Sequence, residues 1–121
     1  MQVSLSAYKL KELLHTVKPA VTKQSTMAVL ANVHLKTTER GKLQVTGTDL
    51  SKAVRAEDGA DVLRYGAATV QLDDLSRLVA TVPDERTVAL ELNKDGNKLA
   101  LIADNLVVDL SVIDAEEFPL V

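Results

Sequence analysis

At 121 residues, 46% apolar and 26% charged, the chain is sized for one domain, residues 1–121, that buries a core of its own. Having no cysteine and 2% aromatics, it excludes disulfides and thiolate metal sites and must build that core from Val, Leu, Ile and Ala. No apolar run nears the roughly 20 residues of a membrane span, no signal-peptide pattern opens the chain, and a net charge of −3 is not that of a nucleic-acid binder, so a soluble cytoplasmic protein is expected.

In chain order, Val3 and Leu5 alternate with polar neighbours as a half-buried strand does. Ser6 is placed to cap a helix by accepting a hydrogen bond from a first-turn amide. Leu10, Leu13, Leu14 and Val17 then fall at i, i+3, i+4 and i+7, one apolar stripe, with Lys9, Lys11, Glu12 and Thr16 on the other face. Lys18-Pro19 begins a polar connection through Lys23, Gln24, Ser25 and Thr26. Val29 to Thr38 reads as a strand with Val29, Ala31, Val33 and Leu35 on one face. Lys42 to Thr46 alternates as another, and Thr46-Gly47-Thr48-Asp49-Leu50 reads as a break in which Asp49 bonds its own turn. Ser51 to Ala56 is a weaker strand, and Glu57 to Gly66 joins two halves.

The second half repeats the first. Val70-Gln71-Leu72 is the strand, Asp73 the cap, and Leu75, Leu78, Val79 and Val82 the stripe, with Pro83 forbidding continuation. Arg86 to Leu92 and Lys98 to Ala103 alternate around the hairpin signal Asn93-Lys94-Asp95-Gly96. Leu106 to Ile113 is the last strand, apolar on both faces. The predicted fold is α+β: two strand–helix–three-strand repeats whose two helices pack on antiparallel sheets.

A catalytic constellation is missing. His15 lies on the polar side of the first helix and His34 faces away from Val33 and Leu35, with no nucleophile motif beside either. The pair Asp73-Asp74 is explained by a helix start, and the glycines form no phosphate loop. Charge is unevenly spread. Residues 1–36 carry five Lys against Glu12 alone, whereas residues 57–121 carry five basic and fourteen acidic side chains. That asymmetry fits either a face that steers a polyanion or an ordinary solvated surface. Lys9, Lys11, Lys18, Lys23 and Arg77 could line one surface. Without aromatics to stack bases, it would hold backbone phosphates only, without reading sequence.

Taken in order, Leu30-Ala31-Asn32, Thr46-Gly47-Thr48-Asp49-Leu50, Tyr65-Gly66, the stripe ending in Pro83, and the closing Ala115-Glu116-Glu117-Phe118-Pro119 resemble the first domain of the bacterial sliding clamp, the beta subunit of DNA polymerase III. The resemblance covers essentially the whole chain. It implies a replication processivity factor rather than an enzyme: a domain of a ring that encircles duplex DNA, helices towards the hole, and tethers the replicative polymerase. It also implies weak, sequence-independent contact with double-stranded DNA through Lys9, Lys11, Lys23, Gln24 and Arg77, and a subunit interface at Val108 and Leu110. DNA polymerase III subunits and the clamp loader would be partners through the full clamp, as would other clamp domains or subunits. Neither cofactor, metal nor membrane is implied.

Three departures qualify these expectations. The family carries three such domains per subunit, and its peptide pocket lies between the second and third. Members can also place basic DNA contacts where this chain has Gln24 and Asp73. The chain is therefore expected to be an N-terminal domain of a longer clamp, a natural one-domain protein being the alternative. A protein-interaction module that uses an exposed edge strand and binds no DNA is the competing function, with a small hydrolase using His15 or His34 third.

Overall fold

The computed structural model describes residues 1–22 and 27–119. Strand β1 (Gln2–Ser6) leads directly into helix α1 (Ala7–Val17), because Ser6 stays extended while its hydroxyl accepts from the Lys9 amide at 3.2 Å. A 3-10 turn, Lys18–Ala20, follows. Then come β2 (Asn32–Thr38), β3 (Lys42–Thr48), β4 (Ala53–Gly59), β5 (Asp61–Arg64) and β6 (Ala67–Gln71). The second helix, α2 (Leu72–Ala80), is followed by β7 (Thr87–Leu92), β8 (Lys98–Ala103) and β9 (Leu106–Ser111).

The strands make two antiparallel sheets, ordered β5-β1-β7-β8-β9 and β4-β3-β2-β6. The fold is the expected α+β arrangement, with a feature that periodicity does not reveal. Each half gives its leading strand to the other half's sheet: Ser4 of β1 pairs with Ala89 of β7, and Val70 of β6 with Val33 of β2. Both apolar stripes close on one core. Leu10, Leu13, Leu14 and Val17 meet Leu72, Leu75 and Val79 there, together with Val3, Leu35, Leu90 and Leu101 from the sheets. Each such leucine or valine contributes about 1.5–3 kcal/mol by leaving water.

Several expectations are corrected. The cap of α2 is Gln71, not Asp73: the helix starts two residues earlier because Leu72 turns into the core, 2% exposed. With its amide nitrogen assigned to the side facing Asp74, Gln71 donates to both carboxylate oxygens at 2.9 and 2.8 Å. Asp73 and Asp74 sit in the first turn, where negative charge suits the helix dipole. Leu78 is half-buried rather than core. Residues Ala28–Ala31 form a 3-10 turn rather than the start of β2. Arg86 precedes β7, and Ile113 lies beyond β9, its amide donating to the Thr69 carbonyl so that the end of one sheet is tied to β6 of the other.

The supposed break at Thr46–Thr48 is strand, paired through Thr48–Ala53, and the reversal falls on Asp49–Lys52. Asp49 does bond its own turn: Oδ1 accepts the amides of Ser51 and Lys52, each at 2.9 Å, and Oδ2 accepts from Lys52 Nζ at 2.7 Å. Gly47 serves a close approach rather than a turn. A Cβ there would stand 2.9 Å from Val21 Cγ2 and 3.1 Å from the Val17 carbonyl, where the end of α1 crosses β3. The joining segment carries β4 beyond Ala56 and adds β5, a strand outside the repeat that covers the free edge of β1.

Candidate nucleic-acid interface

The polar faces of α1 and α2 carry most of the residues expected to meet DNA. A helix that buries i, i+3, i+4 and i+7 must expose the positions between them, which places Tyr8, Glu12, His15 and Thr16 in solvent and leaves Lys9 and Lys11 half-buried. The two lysines are engaged within the chain. Lys9 Nζ donates to the Gly59 carbonyl at 3.2 Å and stands 3.8 Å from Asp58 Oδ1, fastening α1 to the end of β4. Lys11 Nζ donates to the Val82 carbonyl at 2.6 Å and to Asp84 Oδ1 at 2.7 Å, fastening α1 to the segment after α2. Both exposed ion pairs contribute little stability, but they partly neutralise the cations that a phosphate would meet.

Arg77 is exposed on α2 and has no ion pair among the described residues. Lys23 and Gln24 lie outside the described residues. A shallow cleft of about 180 Å³ opens between the helices, lined by Lys11, Leu14, His15, Lys18, Ser76 and Val79. Sequence reasoning had placed Lys18 among the basic residues and treated His15 only as a catalytic candidate, and it missed Ser76. Spacing could have found two of them, since Lys11, His15 and Lys18 recur at i, i+4 and i+7.

The other expected site lies on β9, an outer strand of its sheet. Leu110 is buried at 9% exposure opposite Leu99, and Val108 is half-buried opposite Leu101, so both lean into this chain's own core. The alternate positions face outward: Val107, 63% exposed, then Asp109 and Ser111. The outward apolar side chain of the strand is therefore Val107.

The two histidines are separated. His15 is exposed, whereas His34 is 3% exposed on the face of β2 opposite the core. Its register neighbours are Thr46 and Thr69, and Phe118 covers it from the segment after β9. His34 Nδ1 and Thr46 Oγ1 have no hydrogen-bond partner among the described residues. Burial lowers the His34 pKa, and the nearby charges of Lys36 and Arg55 lower it further. Among the described residues no three His, Asp or Glu side chains converge as metal ligands would.

Comparison with known proteins gives the same picture along the whole chain. The sequence matches the family described as DNA polymerase III beta subunit, N-terminal domain, over residues 1–121. It is 27% identical over 119 residues to the beta sliding clamp of Caulobacter vibrioides, covering 98% of this chain and 32% of that protein. The fold superposes on the DNA polymerase sliding clamp of Caulobacter crescentus with a TM-score of 0.93 at 26% identity, covering all of this chain and 32% of that one. The DNA polymerase III beta subunit of Pseudomonas aeruginosa gives 0.90 at 26% identity, again with 100% and 32% coverage. The chain thus spans about a third of the length of the relatives it matches, and it belongs to the family of DNA polymerase III beta subunit N-terminal domains.

Proposed function

We propose that the chain acts as one domain of a ring-shaped sliding clamp, a processivity factor that encircles duplex DNA in the cytoplasm and tethers the replicative polymerase without chemistry of its own. The observation that carries this reading is its likeness to the Caulobacter crescentus clamp along its entire length, TM-score 0.93. Residues 1–121 form the one clamp domain in this reading. In this reading Lys9, Lys11 and Arg77, together with Lys23 and Gln24 outside the described residues, attract the phosphates of the duplex weakly and without regard to sequence. The open edge of β9, underlain by Val108 and Leu110, pairs with a neighbouring clamp domain, because an unpaired strand invites main-chain hydrogen bonding. Polymerase III subunits and the clamp loader are reached through the full ring.

A chimera tests it: this chain replaces the first domain of the Caulobacter clamp. It should stay on nicked circular duplex and leave when the circle is cut. A folded, ring-forming chimera that binds linear and circular DNA alike would overturn encirclement. One observation favours the second reading, an edge-strand interaction module that binds no DNA: Lys9 and Lys11 are already bonded within the chain. That reading requires the chimera to show no DNA retention while still pairing through β9.

A further inference from the structure

We propose that the open edge of β9 takes the β4 edge of a second copy of this chain, antiparallel, with Asp109 of one copy opposite Arg55 of the other. The proposal rests on the clamp reading for the use of the β9 edge, and it names the strand, register and charge pair which that edge accepts. β9 and β4 are outer strands of different sheets. The other two outer strands are less open: β5 is four residues long, and β6 carries the Ile113 bridge at Thr69.

Hydrogen-bond phase is the first observation. Beside β4 the Ala60 amide donates to the Gly41 carbonyl at 3.0 Å, and beside β9 the Val112 amide donates to the Asn97 carbonyl at 3.1 Å. In an antiparallel ladder those bonds turn the backbone groups of Ala53, Arg55 and Glu57, and of Val107, Asp109 and Ser111, towards the two open edges. The side chains of these residues are all exposed, whereas Val54, Ala56, Val108 and Leu110 turn towards the core. The next amide of that phase on β4, Gly59, donates to Asp58 Oδ1 at 2.7 Å, which ends the open stretch there.

One register satisfies both phase and packing. With Asp109 opposite Arg55, Val107 meets Glu57 and Ser111 meets Ala53, so every residue of β9 has a partner within β4. On the inner side Leu110 then lies against Val54 and Val108 against Ala56, closing the two ends of the core that the edges leave half open. A shift of two residues keeps the faces but sets Asp109 against Glu57 or Ala53 and leaves part of β9 without a strand partner. Charge selects the same register. Arg55 and Asp109 have no ion pair among the described residues, and opposite charges facing across two strands stabilise their pairing. A symmetric β9–β9 contact centred on Asp109 would instead set that carboxylate against itself. The contact is therefore head-to-tail, each copy giving β9 to one neighbour and β4 to the next.

Sedimentation velocity of the whole chain over a range of concentrations tests the pairing. The wild type should associate, and Arg55→Asp or Asp109→Arg, each of which sets like charges face to face, should weaken the association by about tenfold. An equimolar mixture of the two variants should regain it, because every contact then sets Arg against Asp. Both side chains are exposed, so urea unfolding of each variant should match the wild type and separate lost pairing from lost folding. A wild type that stays monomeric at its highest soluble concentration would overturn the proposal. So would an Arg55→Asp chain that associates as the wild type does, or a mixture that associates no better than its components. None of those results bears on the chimera's retention on circular DNA, which tests encirclement separately.

Discussion

Phe118 lies over His34, ring centroids 5.4 Å apart and planes inclined by 42°. One residue comes from the outer face of β2 and the other from the segment after β9, so the contact seals a polar row of that sheet beneath an aromatic lid. The lid makes stability depend on pH. His34 has its pKa lowered by burial, so below the ordinary value of 6.5 the unfolded chain binds a proton that the folded chain refuses. Folding free energy is therefore greatest above that value and declines as pH falls towards the depressed one. Urea unfolding between mildly alkaline and mildly acidic pH should show the decline, and His34→Gln should flatten it. Phe118→Ala should cost about 3 kcal/mol as a large-to-small truncation and move the histidine titration, followed by NMR, back towards 6.5.

At Gly47 the limit is steric. Gly47→Ala would press a methyl into Val21 and the Val17 carbonyl, and should destabilise by about 1–3 kcal/mol. Gly47→Ala combined with Val21→Ala should recover part of that loss in denaturant unfolding, because Val21 Cγ2 is the nearer obstacle. Full persistence of the loss would assign it to the backbone contact alone.

The Asp49 turn offers a titration readable at one residue. The hydrogen bond from Lys52, followed by the Lys52 and Ser51 amides, holds the Asp49 carboxyl down to about 2 from 3.8. Whatever the turn gains from this is complete above 3.8 and is lost as pH falls through about 2. Carboxyl-carbon NMR should show Lys52→Met moving the Asp49 midpoint upward from about 2.

On β9 the two adjacent valines should separate by consequence. Val108→Lys places an ammonium against the core beside Leu101 and should lower stability. Val107→Lys alters only the outward face and should leave stability within about 0.5 kcal/mol. If the edge pairs with another clamp domain, Val107→Lys should weaken that association in sedimentation of the chimera. An unchanged association constant would place the contact elsewhere.

The parts of this architecture legible in the sequence are those governed by neighbours in the chain. The stripes Leu10-Leu13-Leu14-Val17 and Leu75-Val79 announce their helices because i and i+4 contacts are local. Ser6 is legible as a cap for the same reason. Distance along the chain hides the rest. Asp61–Arg64 is short and weakly patterned, and it becomes a strand because β1 has an open edge to cover. His34 reads only as facing away from Val33 and Leu35, and its burial depends on Phe118, which arrives from the other end of the chain. The alternation from Val29 to Leu35 suits a strand, yet the 3-10 turn holds Ala28–Ala31, with the Leu30 amide on the Met27 carbonyl. The candidate interface shows the same division. That Lys9 and Lys11 stand off the apolar stripe follows from periodicity, whereas their bonds to Gly59, Val82 and Asp84 follow only from the folded arrangement.

The exchange of leading strands between the halves has a consequence during synthesis. As the chain leaves the ribosome, β1 emerges first, but its inner partner β7 begins at Thr87. A nascent chain ending at Gln71 can assemble β4-β3-β2-β6, yet it has neither α2 nor β7 to close the core. Val3 and Leu5 then lack β7, and the α1 stripe is covered only from its β3–β4 side until the second half is translated. Such non-local pairing slows folding and prolongs the aggregation-prone interval. Early β5 pairing with β1 shortens that interval, because Asp61–Arg64 is translated before α2 and can occupy one side of the waiting strand.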